Sequence, residues 1–323
     1  MRIDPSTKAV YASGAKAFVR FAIFYGFTPV LPAKDQALAA FLAFQSQTCN
    51  ERTLKGYLTH IADLHKRSGY PFQKVSERWL VASTLTGIRR AFGTPIKKKL
   101  AVTVDMLRKI QIMVQDGSFA RTHGHTQEVV RCVWAAILIG FFGMLRKQNV
   151  SSGRARSFDP RRCLLRSDLQ YVYGTGILWL KCRFGKTNQF HARVHLVPLQ
   201  HTGGNLCPVY AYLRHVHDCP DRSGDDTQPA FMYTGTTGDR TALSHAFLVK
   251  TLREMLSAVG ETPEQFAGHS LRRGGATLAF ALGVHMAYIM VLGDWTSLAV
   301  LGYNDAQLDF LQCLPRMLAN AAM

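Results

Sequence analysis

The sequence predicts a mainly α-helical protein of two domains, with one small three-stranded antiparallel β-sheet in the second domain. Apolar residues recur at helical spacing over most of the 323 residues, which is the pattern of amphipathic helices. One stretch, LQYVYGTGILWLKCRFGKTNQFHARVHLVPL (169–199), instead alternates β-branched and aromatic residues around the breaks GTG and FGKTNQ. Such alternation is typical of antiparallel strands. Another stretch, TPIKKKLAVT (94–103), has no hydrophobic periodicity and carries a proline and three lysines. It is therefore predicted to be a basic linker between the domains.

The first domain, 1–93, is predicted to be a bundle of four helices joined by short loops. Asn50 precedes the third helix as an N-cap, and Gly69 and Gly93 end the third and fourth helices. The four runs are GAKAFVRFAIFYG (14–26), DQALAAFLAFQSQ (35–47), NERTLKGYLTHIADLHKRSG (50–69) and ERWLVASTLTGIRRAFG (77–93).

The second domain, 104–323, is predicted to be helical around the small sheet. TQEVVRCVWAAILIGFFGMLRKQNV (126–150) contains the apolar run VWAAILIGFFGML (133–145), which indicates a buried central helix. The strands follow, joined by two tight turns. Helices return from 206 onward and include 244–260, 271–292 and a C-terminal helix over 305–322. The last of these is apolar on one face, and it packs either on its own domain or on a neighbouring subunit.

The charge of the chain indicates a polyanionic partner. Lys and Arg outnumber Asp and Glu by 39 to 21, giving a formal net charge of +18. Residues 1–100 alone hold 16 basic and 5 acidic side chains, a net charge of +11. A field of this sign attracts nucleic acid first and anionic membranes second.

The cysteines and the apolar runs bear on the cellular compartment. The seven cysteines form no CxxC pairs, which argues against a disulfide framework or a zinc cluster and indicates a reducing compartment. The longest apolar runs are too short to span a bilayer, and the N-terminus, MRIDPSTKAV, has no apolar signal region. We expect an intracellular protein, in the nucleus if the host is eukaryotic and in the cytoplasm if it is bacterial.

Basic side chains of the first domain and the linker are candidates for contact with DNA phosphates. A solvated basic surface is the alternative, because charges on helices usually face water. The scarcity of acidic residues nearby and the lysine-rich linker, which suits a clamp around a duplex, favour DNA. The candidates are Arg52, Lys55, Arg89, Arg90, Lys97, Lys98, Lys99 and, from the second domain, Arg273.

Four cations in three separate segments of the second domain lack an acidic partner nearby in the sequence, and an aromatic segment follows the last of them. Cations placed together repel each other unless an anion binds among them. The positions are Arg146 in GMLRKQNV, Lys186 in RFGKTNQ, His269 and Arg272 in GHSLRRGGAT, and Trp295 and Tyr303 in GDWTSLAVLGYND.

This set matches the needs of phosphodiester transesterification. Two guanidiniums can hold the non-bridging oxygens of the five-coordinate phosphorus in bidentate geometry, where charge develops in the transition state. The histidine can manage the nucleophile's proton, and a mobile lysine can protonate the leaving 5′ oxygen. The tryptophan offers an N–H donor, and the tyrosine hydroxyl is the nucleophile that conserves the bond energy covalently. The chemistry needs no metal and no cofactor, and we expect neither.

Each assignment has a competing interpretation. His269 and Arg272 are alternatively a helix start with solvated cations, and Trp295 is alternatively a core aromatic. Lys186 is preferred over Lys181 and Arg183 for its position on a turn. The rivals of Tyr303 lack its position after the tryptophan; they are Tyr288, Tyr171, Tyr173 and Tyr70.

The motifs resemble those of the tyrosine recombinase family. GMLRKQN, FDPRRCLLRSDL, HSLRRGGAT and GDWTSLAVLGY are most similar to the recombinases of crypton and DIRS-like mobile elements. The resemblance covers nearly the whole chain, because the family has a basic helical core-binding (SAM-like) domain ahead of the catalytic domain, and the two form a DNA clamp. It implies that the catalytic residues are Arg146, Lys186, His269, Arg272, Trp295 and Tyr303.

The resemblance also implies an activity and an assembly. Family members cut double-stranded DNA through a 3′-phosphotyrosine and rejoin it to a new partner, as a homo-tetramer on two sites. One departure concerns Asn149, because many members carry an acidic residue at that position, three after the first arginine. The expected function is site-specific recombination or integration; the alternatives are a domesticated DNA-binding protein without activity and an enzyme similar to type IB topoisomerases.

Overall fold

A computed structural model of the chain describes residues 5–93, 98–153, 158–185, 188, 193–220, 227–235 and 238–303. The chain divides into two compact units, Met1–Lys97 and Lys98–Met323. Each unit has a hydrophobic core of its own.

The first unit is a helical bundle whose described part holds the four predicted helices. Phe18, Phe41 and Ile61 come from three of them and are fully buried in one core, because each helix carries its apolar residues on one face. The helices are α1 (Pro5–Phe24), α2 (Asp35–Gln45), α3 (Glu51–Arg67) and α4 (Trp79–Phe92).

The predicted caps of this bundle are confirmed. The Asn50 side chain accepts a hydrogen bond from Thr53 N at 3.0 Å at the start of α3. Gly69 and Gly93 follow α3 and α4 with φ of 79° and 63°, the left-handed region that favours glycine. The start of α1 differs from the prediction, because Gly14 lies inside the helix; a Cβ there would overlap the His60 side chain.

The second unit is built around a buried helix, and the prediction for that helix needs a correction. The central helix ends at Phe142 instead of continuing to 150, and Met144 in the break has φ of 47°. The predicted helix 271–292 is also two helices, separated near Gly283 (φ 73°). The helices of this unit are α5 (Val104–Gln115), α6 (Ser118–His123), α7 (Gln127–Phe142), α8 (Lys147–Val150), α9 (Pro208–Asp218), α10 (His245–Ala258), α11 (Ser270–Ala281) and α12 (Met286–Gly293).

The three-stranded antiparallel sheet is confirmed, in the order β1 (Leu169–Val172), β2 (Ile177–Cys182) and β3 (His195–Gln200). Leu180 pairs with Leu169 on one side and Val197 on the other, and its buried side chain joins the core that contains α7. The first turn is tight, as predicted. The prediction of a second tight turn is wrong, because β2 and β3 are joined by the longer connection 183–194.

A second, two-stranded antiparallel sheet was not predicted. Its strands are β4 (Met232–Thr234) and β5 (Arg240–Ala242). Strands of three residues are too short to show an alternating pattern in the sequence.

Part of the predicted linker is bound to the second unit. Leu100 N donates to Gln265 O at 2.8 Å, and Val102 N donates to Ser270 O at 3.1 Å. The predicted C-terminal helix 305–322 lies outside the described residues. Across the part of the chain that is described, each helix is too short or too polar to cross a bilayer.

Candidate active site

Arg146 lies where the buried core meets a short helix. It is the N-cap residue of α8, and its side chain is 16% exposed. Its Nη1 donates to Oδ2 of Asp294 at 3.2 Å, and its Nη2 donates to the main-chain oxygen of Asp294 at 3.3 Å. Asp294, far away in the sequence, therefore fixes the orientation of this guanidinium through two bonds.

Arg272 lies in the first turn of α11 and is 2% exposed. Its Nη1 donates to Met144 O at 2.5 Å, and its guanidinium carbon lies 3.6 Å from the centroid of the Trp295 ring. A desolvated guanidinium over an indole face is stabilised by about 2 kcal/mol. The carbonyl and the ring together hold the plane of the guanidinium.

Two glycines allow α11 to bring Arg272 to this position. A Cβ on Gly274 would overlap the Val102 carbonyl oxygen, and a Cβ on Gly275 would overlap the Phe141 carbonyl oxygen. α11 therefore packs directly on the main chain at the end of α7. This close approach gives the GG pair of HSLRRGGAT a packing role.

The two arginines line one pocket with the connection between β2 and β3. Lys186 itself lies outside the described residues. Its neighbour Gly185 is described, and a Cβ there would lie 3.5 Å from Nη1 of Arg146. The main chain thus passes the Arg146 guanidinium one residue before Lys186.

His269 is exposed at the N-terminus of α11. The residue before it, Gly268, lies against Lys147, the residue after Arg146; a Cβ on Gly268 would be 2.6 Å from Cδ of Lys147. This contact brings the starts of α8 and α11 together. Arg146 and His269 are the N-cap residues of these helices, but His269 is not among the described residues that line the pocket of the two arginines.

Trp295 is 8% exposed and belongs to a small core with Met144 and Val300. Val300 is part of the 3₁₀ helix Leu298–Tyr303, so this helix is anchored beside the tryptophan. Tyr303 ends the helix, and its side chain lies outside the described residues.

Comparisons with known proteins give structural matches without sequence matches. No family model and no curated protein matches the sequence. The XerH site-specific recombinase bound to palindromic difH substrate matches with a TM-score of 0.62 at 15% identity, over 95% of this chain and 79% of that chain. The Tn1549 transposon integrase in complex with transposon right end DNA matches with a TM-score of 0.64 at 12% identity, over 98% and 95%. The lambda integrase bound to DNA matches with a TM-score of 0.53 at 16% identity, over 90% and 85%.

The chain has the tyrosine recombinase fold. The resemblance that the motifs indicated is confirmed at this level, and so is the fold class. The roles of the six predicted catalytic residues stay predictions.

Sequence reasoning missed several residues of the pocket in this recombinase fold, and two of them, Asp294 and Arg193, form ion pairs there. Asp294 accepts from Arg146 on one oxygen and is ion-paired with Arg193 through the other. Arg193 stands just before β3, on the far side of the connection that carries Lys186. The only signal for Asp294 was its place beside Trp295 in GDW; Arg193 lies in a stretch with no distinctive motif.

Cys182 also lines this pocket. Burial raises the pKa of its thiol to about 12, and the carboxylates of Asp168 and Asp294 add to the rise. The thiol is therefore neutral at physiological pH, when a cysteine nucleophile must be a thiolate. This argues against Cys182 as a nucleophile.

The candidate DNA-contacting residues of the first unit are exposed on two helices. Arg52 and Lys55 lie on α3, and Arg89 and Arg90 lie at the end of α4. Lys55 forms an ion pair with Glu51 at 2.7 Å, and nearby Arg89 helps Lys55 to lower the pKa of that carboxyl. The start of α3 and the end of α4 therefore form one basic edge.

The other candidates belong to the second unit or lie outside the described residues. Lys97 is outside them, and Lys98 is exposed. Lys99 is exposed too, but its Nζ donates to Glu264 O at 2.6 Å. Arg273 donates through Nη2 to Gly302 O at 3.3 Å, a structural contact beside Tyr303.

Proposed function

We propose that this protein is a DNA strand transferase, a tyrosine-type recombinase or integrase, that cuts and rejoins double-stranded DNA. The observation that carries the proposal is the pair of arginines. Arg146 and Arg272 are far apart in the sequence of the second unit, line one pocket and are each held in a fixed orientation. Preorganised charges of this kind are what a developing pentacoordinate phosphorane needs.

In the proposed reaction the Tyr303 oxygen attacks the scissile phosphorus while His269 takes the phenolic proton. The bond from phosphorus to the 5′ oxygen breaks, and Lys186 gives a proton to that oxygen. The products are a 3′-phosphotyrosine and a free 5′-hydroxyl. A 5′-hydroxyl of another strand reverses the step, so the phosphodiester is restored with no external energy source.

The two arginines contribute in the transition state more than in the ground state. Non-bridging oxygens gain charge as the tyrosine attacks, and loss of one fixed donor in such a site lowers the rate by about 100- to 1,000-fold. Trp295 holds the Arg272 plane and offers its indole N–H as a further donor. No step requires a metal ion.

We propose that the first unit, 1–93, is the core-binding domain and that 104–323 is the catalytic domain. The basic edge formed by α3 and α4 then contacts phosphates, and the lysines of the linker 94–103 add to the attraction for the duplex. Phosphate contacts of this kind give affinity and register without sequence information. Four copies on two DNA sites would complete the assembly, as the recombinase resemblance implies, and a mobile element is the context it indicates.

Covalent trapping tests the proposal. A duplex selected from random sequences is nicked beside the cleavage position, so that the leaving fragment diffuses away and the adduct accumulates. The wild type is expected to give a denaturant-resistant protein–DNA band, and Tyr303→Phe none. Tyr288→Phe is the matched control, because Tyr288 is 72% exposed on α12 and should leave the band unchanged.

Two outcomes contradict the proposal. Specific binding by the wild type without any adduct indicates a DNA-binding protein that has lost activity. Relaxation of supercoiled DNA without strand exchange between two duplexes indicates a topoisomerase-like enzyme.

A further inference from the structure

We propose that Asp294 is a positioning residue, which orients Arg146 and ties it to the connection that carries Lys186. The inference rests on the proposed function. It adds to the predicted catalytic set a carboxylate that comes from the turn between α12 and Trp295.

The contacts of Asp294 reach both partners at once. Its Oδ2 accepts from Nη1 of Arg146 at 3.2 Å, and its main-chain oxygen accepts from Nη2 at 3.3 Å. Its Oδ1 is ion-paired with Arg193, which ends the connection on which Lys186 lies. The Asp294 carboxylate is 11% exposed and the Arg146 side chain is 16% exposed, so water screens this pair far less than it would at the surface. The Arg193 side chain is 50% exposed, so its pair with Asp294 is screened more.

Charge balance gives the carboxylate its importance. Arg146, Arg193 and Arg272 line the pocket together, and among its described lining residues Asp294 is the one with an acidic side chain. Without it, the neighbouring guanidiniums would repel each other and move apart before DNA binds. With it, Arg146 is already oriented when a phosphate arrives.

Asn149 does not supply this orientation. Its Oδ1 accepts from the main-chain N of Arg146 at 3.2 Å, and its Nδ2 donates to Phe184 O at 3.1 Å. The Asn149 amide thus binds main-chain atoms on both sides of the pocket, whereas the Arg146 guanidinium is bound by Asp294. An asparagine suits this task better than a carboxylate, because Phe184 O needs a donor.

Backbone strain supports the inference independently. Among the described residues, Met144 and Asp294 are the two non-glycine residues with positive φ, 47° and 56°. Met144 O holds Arg272, and Asp294 holds Arg146. Strained conformations persist where surrounding contacts enforce them, and they concentrate at functional sites. Here each strained residue orients one arginine.

Two variants test the role. Asp294→Asn keeps the size and removes the charge, and Asp294→Gly removes the carboxylate while accepting the positive φ without strain. Single-turnover cleavage at saturating DNA is expected to fall about 10- to 100-fold in both, because a misplaced catalytic group costs this much. The dissociation constant for the same nicked duplex is expected to change by less than about threefold, since the loss is in the transition state.

Asp218→Asn is the matched control. Asp218 is also a carboxylate between two arginines, Arg131 and Arg214, and its side chain is 15% exposed. It does not line the pocket of Arg146. Its variant should lose comparable thermal stability and keep the wild-type cleavage rate.

The outcomes separate this proposal from the proposed function. A wild type without adduct removes the proposed function and the inference with it. A wild-type adduct with an unchanged rate in Asp294→Asn overturns only the positioning role. Equal losses in rate and affinity, or unfolding of both Asp294 variants, also overturn it, because either result indicates a general structural role.

Discussion

Gly275 lies at the point where α11 meets the main chain of α7, and Gly275→Ala tests how strictly this contact positions Arg272. An added Cβ would come closer than 3.0 Å to the Phe141 carbonyl oxygen and would lie 3.2 Å from Cγ of Met144. Phe141 O belongs to the backbone and cannot rotate away. α11 must therefore move outward, away from Met144 O, which accepts the hydrogen bond of Arg272.

The expected magnitude follows from two opposing effects. Alanine is favoured over glycine inside a helix by about 1 kcal/mol. Overpacking against a rigid neighbour costs about 1–3 kcal/mol or more, and an overlap with backbone belongs at the upper end. We expect a net loss of about 2 kcal/mol, which lowers the melting temperature of a domain of this size by about 4–8 °C.

The cleavage rate should be affected more strongly than the melting temperature. An outward shift of about 1 Å displaces Arg272 from Met144 O and from the Trp295 face, and such a displacement reduces a catalytic rate by about 100-fold. The assay is thermal denaturation of the full chain, followed by adduct formation well below the melting temperature. Gly174→Ala is the control, since nothing lies within 4 Å of a Cβ at that position. A Gly275→Ala protein that melts and cleaves like the wild type would refute the packing argument.

Three further predictions concern charge. Arg272→Lys keeps the charge but loses the planar contact with Trp295, so cleavage should fall about 100- to 1,000-fold with little change in DNA affinity; an equal loss of affinity contradicts the clamp role. Burial lowers the pKa of His215 to about 4 from 6.5. As the pH falls below 6.5, His215 is therefore protonated in the unfolded chain while it is still neutral in the folded chain. The free energy of unfolding should drop by about 3 kcal/mol between pH 6.5 and 4. Urea titrations of His215→Gln should lack that part of the pH dependence, and identical pH profiles would exclude it. Replacing Lys97, Lys98 and Lys99 by glutamine should weaken binding to all sequences and reduce the salt slope by about 2 to 3, whereas an unchanged slope assigns them to a solvated surface.

The sequence predicted elements that have a long, regular pattern. The four helices of the first unit and the three-stranded sheet follow from spacing and caps such as Asn50. The central helix was predicted too long because the apolar run VWAAILIGFFGML (133–145) passes through the break at Met144 without interruption. A run of apolar residues does not indicate where tertiary contacts impose a positive φ, as they do at Met144.

The candidate site was predictable only where a motif marks it. Arg146 and Arg272 belong to recognisable sequence motifs, and both line one pocket in the structure. The pairing of Arg146 with Asp294 spans 148 residues, and no local pattern connects them. The same holds for Arg193, whose position depends on the path of the connection between β2 and β3.

The hydrogen bond from Arg273 to Gly302 O has a consequence for how the segment before Tyr303 tolerates change. The acceptor is a peptide carbonyl, which every amino acid carries, so the anchor does not depend on which side chain occupies position 302. A Cβ there meets nothing within 4 Å. Substitutions at position 302 can therefore change the surface of the molecule without removing the hydrogen bond from Arg273 to the main chain.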